Sequence, residues 1–262
     1  MELNLSNQRL SNIPTLHSNL KIFKCYCNNI TVLENLPPSV ISFNCSYNSI
    51  YTIERLPLHL EIFDCAYNQI SQIKNIPSSV YNFDCSHNLI KKLENIPQEL
   101  QIFYCGNNQI SKIENLPSCV KLLICDHNII PKIEHLPYNL EIFKCHSNKI
   151  QKIENLPHSL EIFHCQDNQI QIIENLPHNL EFFSCNQNTV TKIPSLPHTL
   201  KVFHCEYNQI KKIENMPESL RSFSCYGNPI YRTTKNKSRK YKPFTLFSIV
   251  SEFILSNHQD LL

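Results

Sequence analysis

The chain has 262 residues and a formal net charge of +2, with 2 glycines, no tryptophan and 13 cysteines. So small a net charge gives no global field to attract nucleic acid or an acidic membrane. No apolar run reaches the roughly 18 residues that a transmembrane helix needs. The opening stretch, Met1 to Ser6, lacks the basic and apolar regions of a signal peptide, so the expected setting is the cytoplasm, where thiols stay reduced. A single alanine, Ala66, beside plentiful Ile, Asn, Lys, Phe and Tyr reads as AT-rich coding, not as physics.

Residues 1–20 form a degenerate first unit. Leu3, Leu5, Leu10 and Ile13 keep the apolar phases of the later units, but Gln8 stands where those units carry Asn. No separate N-terminal cap is expected before it. From Leu20 to Ile230 the chain then repeats every 20 residues without a slip. Phe returns at 23, 43, 63, 83, 103, 143, 163, 183, 203 and 223, with Leu123 the exception, and Cys returns at every twentieth position from Cys25 to Cys225. Asn28, Asn48, Asn68, Asn88, Asn108, Asn128, Asn148, Asn168, Asn188, Asn208 and Asn228 share one phase, with Ile or Val two residues later. A Leu/Ile/Met-Pro pair closes each unit, from Leu36-Pro37 to Met216-Pro217. Eleven aligned copies of L-x-x-F-x-C-x-x-N-x-I-x-x-I-E-N-L-P-x-x exclude chance and define a repeat architecture.

Residue types give each unit its mechanics. Phe23 and Cys25 alternate with Ile22 and Lys24, a period of two, so this stretch is a short strand with Phe and Cys turned inward. The Asn at the next fixed phase bends the chain, and its amide can satisfy backbone groups left unpaired by the bend. Stacked copies make an Asn ladder. Ile30, Leu33 and Leu36 fill the interior, and Pro37 forbids a regular helix on the return path. Each unit buries its apolar residues only against its neighbours.

The period ends after Pro229-Ile230. Residues 231–242 carry Arg232, Lys235, Lys237, Arg239, Lys240 and Lys242 with no acid, which reads as a basic linker or, alternatively, a nuclear import signal. Pro243 then opens an apolar stretch in which Leu246, Ile249, Val250, Phe253 and Ile254 share one helical face. A helix there is expected to cap the last coil; a membrane-surface or partner-binding helix is the alternative.

The L-x-x-F-x-C-x-x-N-x-I core over residues 1–230 resembles the leucine-rich-repeat family, with Phe and Cys where Leu is commoner. The 20-residue period with L-P-x-x-L resembles the repeats of bacterial effector proteins, although their second Pro survives only as Pro14 and Pro194. Cys-and-Phe repeats in so AT-biased a chain also resemble giant-virus (mimivirus-type) repeat proteins. The N-x-I-x-x-I-E-N-L stretch resembles phosphatase regulatory subunits, whose repeats are two residues longer. The resemblance implies a horseshoe of 11–12 coils over residues 1–230, with a parallel concave β-sheet, a helix-poor convex side and a C-terminal helical cap.

The same resemblance implies protein binding on the concave face. Of the columns alternating with Phe and Cys, one is apolar from Ile102 through Leu122, Ile142, Ile162 and Phe182 to Val202, and is expected to be an exposed stripe. Beside it stand Tyr104, Ile124, Lys144, His164 and His204, and near the Asn bend Tyr47, Tyr67 and Tyr207. Aromatic, apolar and charged groups in one patch are the material of interface hot spots.

No catalytic residue, cofactor or metal site is expected. The inward cysteines lack the short C-x-x-C pairs of zinc sites and read as small apolar filler, leaving Cys27 and Cys119 as the candidates for exposed thiols. His158, His178 and His198 share an outer-wall phase and read as solvated surface. A Glu column from Glu34 to Glu214 beside a Lys column from Lys92 to Lys212 offsets its own repulsion, and nothing there builds a pocket. The expected function is a non-catalytic scaffold binding a protein partner, a host protein if the chain is viral. A phosphatase-regulatory-like subunit and a structural filler are the alternatives.

Overall fold

The structure is a computed structural model and describes residues 1–230. Twelve three-residue strands stack in sequence order into one parallel sheet. They are β1 (Glu2–Asn4), β2 (Ile22–Lys24), β3 (Ser42–Asn44), β4 (Ile62–Asp64), β5 (Asn82–Asp84), β6 (Ile102–Tyr104), β7 (Leu122–Ile124), β9 (Ile142–Lys144), β11 (Ile162–His164), β13 (Phe182–Ser184), β14 (Val202–His204) and β15 (Ser222–Ser224). The two-residue strands β8 (Lys132–Ile133), β10 (Lys152–Ile153) and β12 (Ile172–Ile173) form a second, small parallel sheet on the return path.

Register follows the repeat: Phe23 pairs with Phe43, Phe43 with Phe63, and so on to Phe203 with Phe223. A rigid 20-residue unit allows only one pairing, because a slip of one residue would turn Phe and Cys out to water. The sheet runs roughly 50 Å at about 4.8 Å per strand. The inward phenylalanines stack face to face from Phe23 to Phe103, and again from Phe143 to Phe223, with centroids 5.4–5.9 Å apart. Leu123 interrupts the stack and stays fully buried in the same core. The core is continuous from coil to coil, and the columns that contain Leu100, Phe103, Cys105 and Ile110 lie at 0–1 % exposure from Leu20 to Ile210.

Pro and a second asparagine set the return path. Asn35, Asn75, Asn95, Asn115, Asn155 and Asn215 hold φ of 50–57°, and His135 takes the same conformation. Asn tolerates this left-handed region better than most residues, because its short polar side chain bonds locally. The E-N-L-P segment thus turns without helix. After the proline, Val40 N–H donates to Pro37 O at 3.2 Å, and the same turn recurs in every later coil.

No described helix is long and apolar enough to cross a membrane. The expected basic linker and C-terminal helical cap lie outside the described residues.

Candidate functional site

The asparagine ladder has the expected role, and its geometry is fuller than the sequence shows. Asn48 Nδ2 donates to the carbonyls of Cys45 in its own coil and Cys25 in the coil before, both at 3.0 Å. Its Oδ1 accepts the Ile30 N–H at 3.0 Å. The pattern repeats up to Asn228, which holds Cys205, Cys225 and Ile210. The first coil, with Gln8 at this phase, contributes no asparagine, and Asn28 Oδ1 instead accepts both the Gln8 and Leu10 N–H groups. One amide thereby closes its own bend and clamps the preceding one.

A second ladder goes beyond the sequence expectation. Ser39 Oγ donates to Leu20 O at 2.7 Å across the coil boundary, and Ser79, Ser159, Thr199 and Ser219 do the same in their own coils. Cys119 occupies this phase, and its Sγ lies 3.1 Å from Gln98 O and 3.2 Å from Leu100 O. It is therefore half-buried and stands in for a bridging hydroxyl, whereas Cys27 is exposed as expected. The column thiols are buried, and burial raises their pKa, to about 12 for Cys25 and well above the ordinary thiol range for Cys45 and Cys65. They remain protonated near neutral pH and serve as packing.

The apolar stripe departs from expectation. Ile102, Leu122, Ile142, Ile162, Phe182 and Val202 are only 1–3 % exposed and form a second hydrophobic cluster, with Tyr104 and Ile124 packed against it. Strict register places each side chain against the same column in the next strand, so bulky neighbours seal one another's flanks. Ile22 and Ile62 stay half-buried because Ser42 and Asn82 interrupt their column. The stripe is a small core and not an exposed hydrophobic face.

The adjoining column carries the charge. Asp64 and Asp84 are paired across β4 and β5. Burial pushes the Asp64 carboxyl up to about 6, with Asp84 adding repulsion, and burial also raises Asp84. Asn44 Nδ2 donates to Asp64 Oδ2 at 2.7 Å, and the Ala66 and Ser86 N–H groups donate to the two aspartates. Lys144 is half-buried and its pKa is lowered by burial. His164 is 4 % exposed, lies flat on Phe182 at 4.5 Å between ring centroids, and is pushed down to about 3 by burial. His204 Nε2 meets Ser222 Oγ at 3.1 Å.

At the rim, where the chain leaves the strand, stand the exposed Tyr47, Tyr67 and Tyr207. Tyr47 and Tyr67 are 51 % and 40 % exposed and stack at 4.2 Å. His87 extends the stack at 3.9 Å from Tyr67, a member that the sequence does not single out. All three hold φ of 52–53°, a left-handed conformation repeated at this phase in each coil. A shared backbone conformation aims the rings along the same line. Tyr207 stands seven coils from Tyr67 and pairs edge-on with Tyr226 at 5.4 Å, so the structure does not unite the three expected tyrosines.

The outer wall matches its reading. Lys92, Lys132 and Lys212 pair with Glu94, Glu134 and Glu214 at 2.6–3.0 Å, and Lys112 and Lys152 pair with Glu114 and Glu154. All are exposed, where such pairs contribute roughly 0–1 kcal/mol. His158, His178 and His198 are exposed there as well.

Sheet, register and ladders define a leucine-rich-repeat solenoid. Solved structures share the fold. YopM from Yersinia enterocolitica WA-314 is 23% identical over 87% of this chain, with a TM-score of 0.77. The functional domain of InlJ from Listeria monocytogenes, described as including a cysteine ladder, is 21% identical over 87% of this chain, also at 0.77. YopM from Yersinia pestis is 22% identical over 87%, at 0.66. The present chain spans 56% of the first structure, 53% of the second and 77% of the third. No protein-family model matches the chain, and no curated protein matches its sequence.

Proposed function

We propose that this protein is a non-catalytic scaffold that binds a protein partner along the rim and open N-terminal half of its concave sheet. The observation that carries this reading is the Tyr47–Tyr67–His87 stack. Its two tyrosines are about half exposed, yet all three rings are held against one another by backbone geometry. Aromatic side chains that are already ordered lose little freedom on binding, and large rings of this kind anchor interfaces. Lys24, Asn44, Asp64 and Asp84 lie beside the stack and supply polar contacts that orient a partner. The fold shared with YopM and InlJ supports the reading as an analogy of architecture. The proposed setting is the cytoplasm, which cell fractionation checks directly.

The test is affinity capture from a lysate of the native cell, comparing the full chain with a Tyr47→Ala/Tyr67→Ala variant and with an outer-wall His158→Ala/His178→Ala variant. A partner captured stoichiometrically by the parent and the outer-wall variant, but lost from the tyrosine variant, supports the proposal. An identical bound set for all three removes it.

A further inference from the structure

We propose that Asp126, His127 and His146 form a binding site for one divalent transition-metal cation of the zinc class. Asp126 and His146 occupy the same phase of consecutive coils, just after Cys125 and Cys145, and His127 is the left-handed residue next to Asp126. One ligand atom from each lies within 4.8 Å of the others. His146 Nε2 and Asp126 Oδ2 are 3.6 Å apart. Ligands held about 2.0–2.1 Å from a tetrahedral zinc ion are separated by roughly 3.3–3.5 Å, so the Asp126–His146 pair needs little movement to close on an ion. Two imidazoles and a carboxylate, with water completing the shell, are ligands that a borderline ion of this kind accepts.

Two further observations show how the ligands are held. His146 Nδ1 lies 3.2 Å from Ser147 Oγ. In the tautomer that donates this hydrogen bond, the Nε2 lone pair is free to ligate a cation beside the Asp126 carboxylate. The Ser147 bond also fixes the ring, as partners behind metal-bound histidines do. Second, Gly106 is one of only two glycines in the chain, and a Cβ placed there would come 2.9 Å from Asp126 Oδ1. The glycine leaves room for the carboxylate in this position. The edge-on contact of the His127 and His146 rings, with centroids 5.1 Å apart, keeps both at the mouth of the site.

Charges around the site set its pH response. Lys144 opposes a cation, Asp167 favours one, and His87 on the neighbouring side lies close enough to feel Asp126 and His127. Binding therefore weakens on acidification, because protons compete with the metal for the imidazole nitrogens. No metal is expected from the sequence, since the ligands sit in no short motif. Only the stacking of coils brings position 146 beside 126.

The experiment titrates the full chain with Zn²⁺ by calorimetry and with Co²⁺ by absorption spectroscopy, using Mg²⁺ and Ca²⁺ as hard-cation controls. The expected result is one equivalent bound, a Co²⁺ spectrum without a thiolate charge-transfer band, and no binding of the hard cations at matched concentration. Asp126→Asn and His146→Ala should each weaken binding at least tenfold, and Ser147→Ala about tenfold. Their metal-free unfolding midpoints report whether each variant folds. Cys27→Ser/Cys119→Ser separates adventitious thiol binding: loss of binding in this variant overturns the proposal. So does a full chain that binds no cation, or binding indifferent to Asp126 and His146. None of these readouts involves a protein partner, so the scaffold reading stands or falls separately.

Discussion

Asn108 Oδ1 accepts the backbone N–H of Ile90, one coil earlier, at 2.9 Å. The same amide donates to Cys85 O at 3.0 Å and Cys105 O at 3.2 Å. Replacing it leaves the Ile90 N–H without its partner, while Cys85 O keeps the Asn88 amide and Cys105 O keeps the Asn128 amide; one buried unpaired group costs about 1–3 kcal/mol. Asn108→Ala should therefore destabilise by about 1–3 kcal/mol, measured as a fall in the urea midpoint. A loss below about 1 kcal/mol would mean that water replaces the ladder readily.

Leu123 shows that the phenylalanine stack tolerates an aliphatic side chain. Phe163→Leu should cost about 1 kcal/mol, since volume and apolarity nearly persist. Phe163→Ala should cost about 3–5 kcal/mol, because it opens a cavity between Phe143 and Phe183. Chemical denaturation of the two variants checks the ratio.

Ile142 and Phe182 are buried, so charges placed there act on the fold. Ile142→Glu/Phe182→Glu should destabilise by more than about 3 kcal/mol through uncompensated burial. Tyr47→Ala/Tyr67→Ala removes exposed rings and should cost no more than about 1–2 kcal/mol. Thermal unfolding of both variants establishes which set can be used to probe binding without altering the fold.

His164 gives the protein an acid-sensitive element. Its folded pKa, near 3, lies below the ordinary value of 6.5, so the unfolded chain takes up the proton first. Its contribution is complete above pH 6.5 and falls as the pH drops toward 3, by at most about 1.4 kcal/mol per pH unit. Asp64 acts in the opposite sense: with its pKa raised from 3.8 to about 6, stability falls as the pH rises through that window. His164→Phe should stabilise the protein at pH 5 relative to pH 7, because Phe keeps the stack on Phe182 and removes the proton. Unfolding midpoints across pH 4–7 test the sign, and a parallel profile for parent and variant would refute it.

Asn95 is exposed with φ of 53°. Asn95→Gly should be nearly neutral, whereas Asn95→Val should cost about 1–2 kcal/mol through the clash between Cβ and carbonyl. Their difference in melting temperature measures how strongly the return path depends on this turn.

The spacing of Phe, Cys and Asn is enough to read the fold: a 20-residue period with alternation around Phe23 and Cys25 admits one inward face and one register. The Asn phase likewise announces its bend, because a side chain with donors and an acceptor can serve the backbone groups of the turn in each coil. The candidate site is less legible. Tyr47 and Tyr67 can be named from the sequence, but whether they touch depends on the left-handed backbone beneath them, and His87 joins the stack for the same reason. Cys119 reads as a stray thiol in the sequence and takes its meaning only from the serine ladder around it.

Local pattern therefore determined what each coil is, since inward and outward phases are set by residue type within one unit. Stacking decided what the surface is. Exposure of Ile142, pairing of Tyr67 with His87, and convergence of His146 on Asp126 all depend on side chains from a different coil. Such distances exist only after neighbouring coils have settled about 4.8 Å apart.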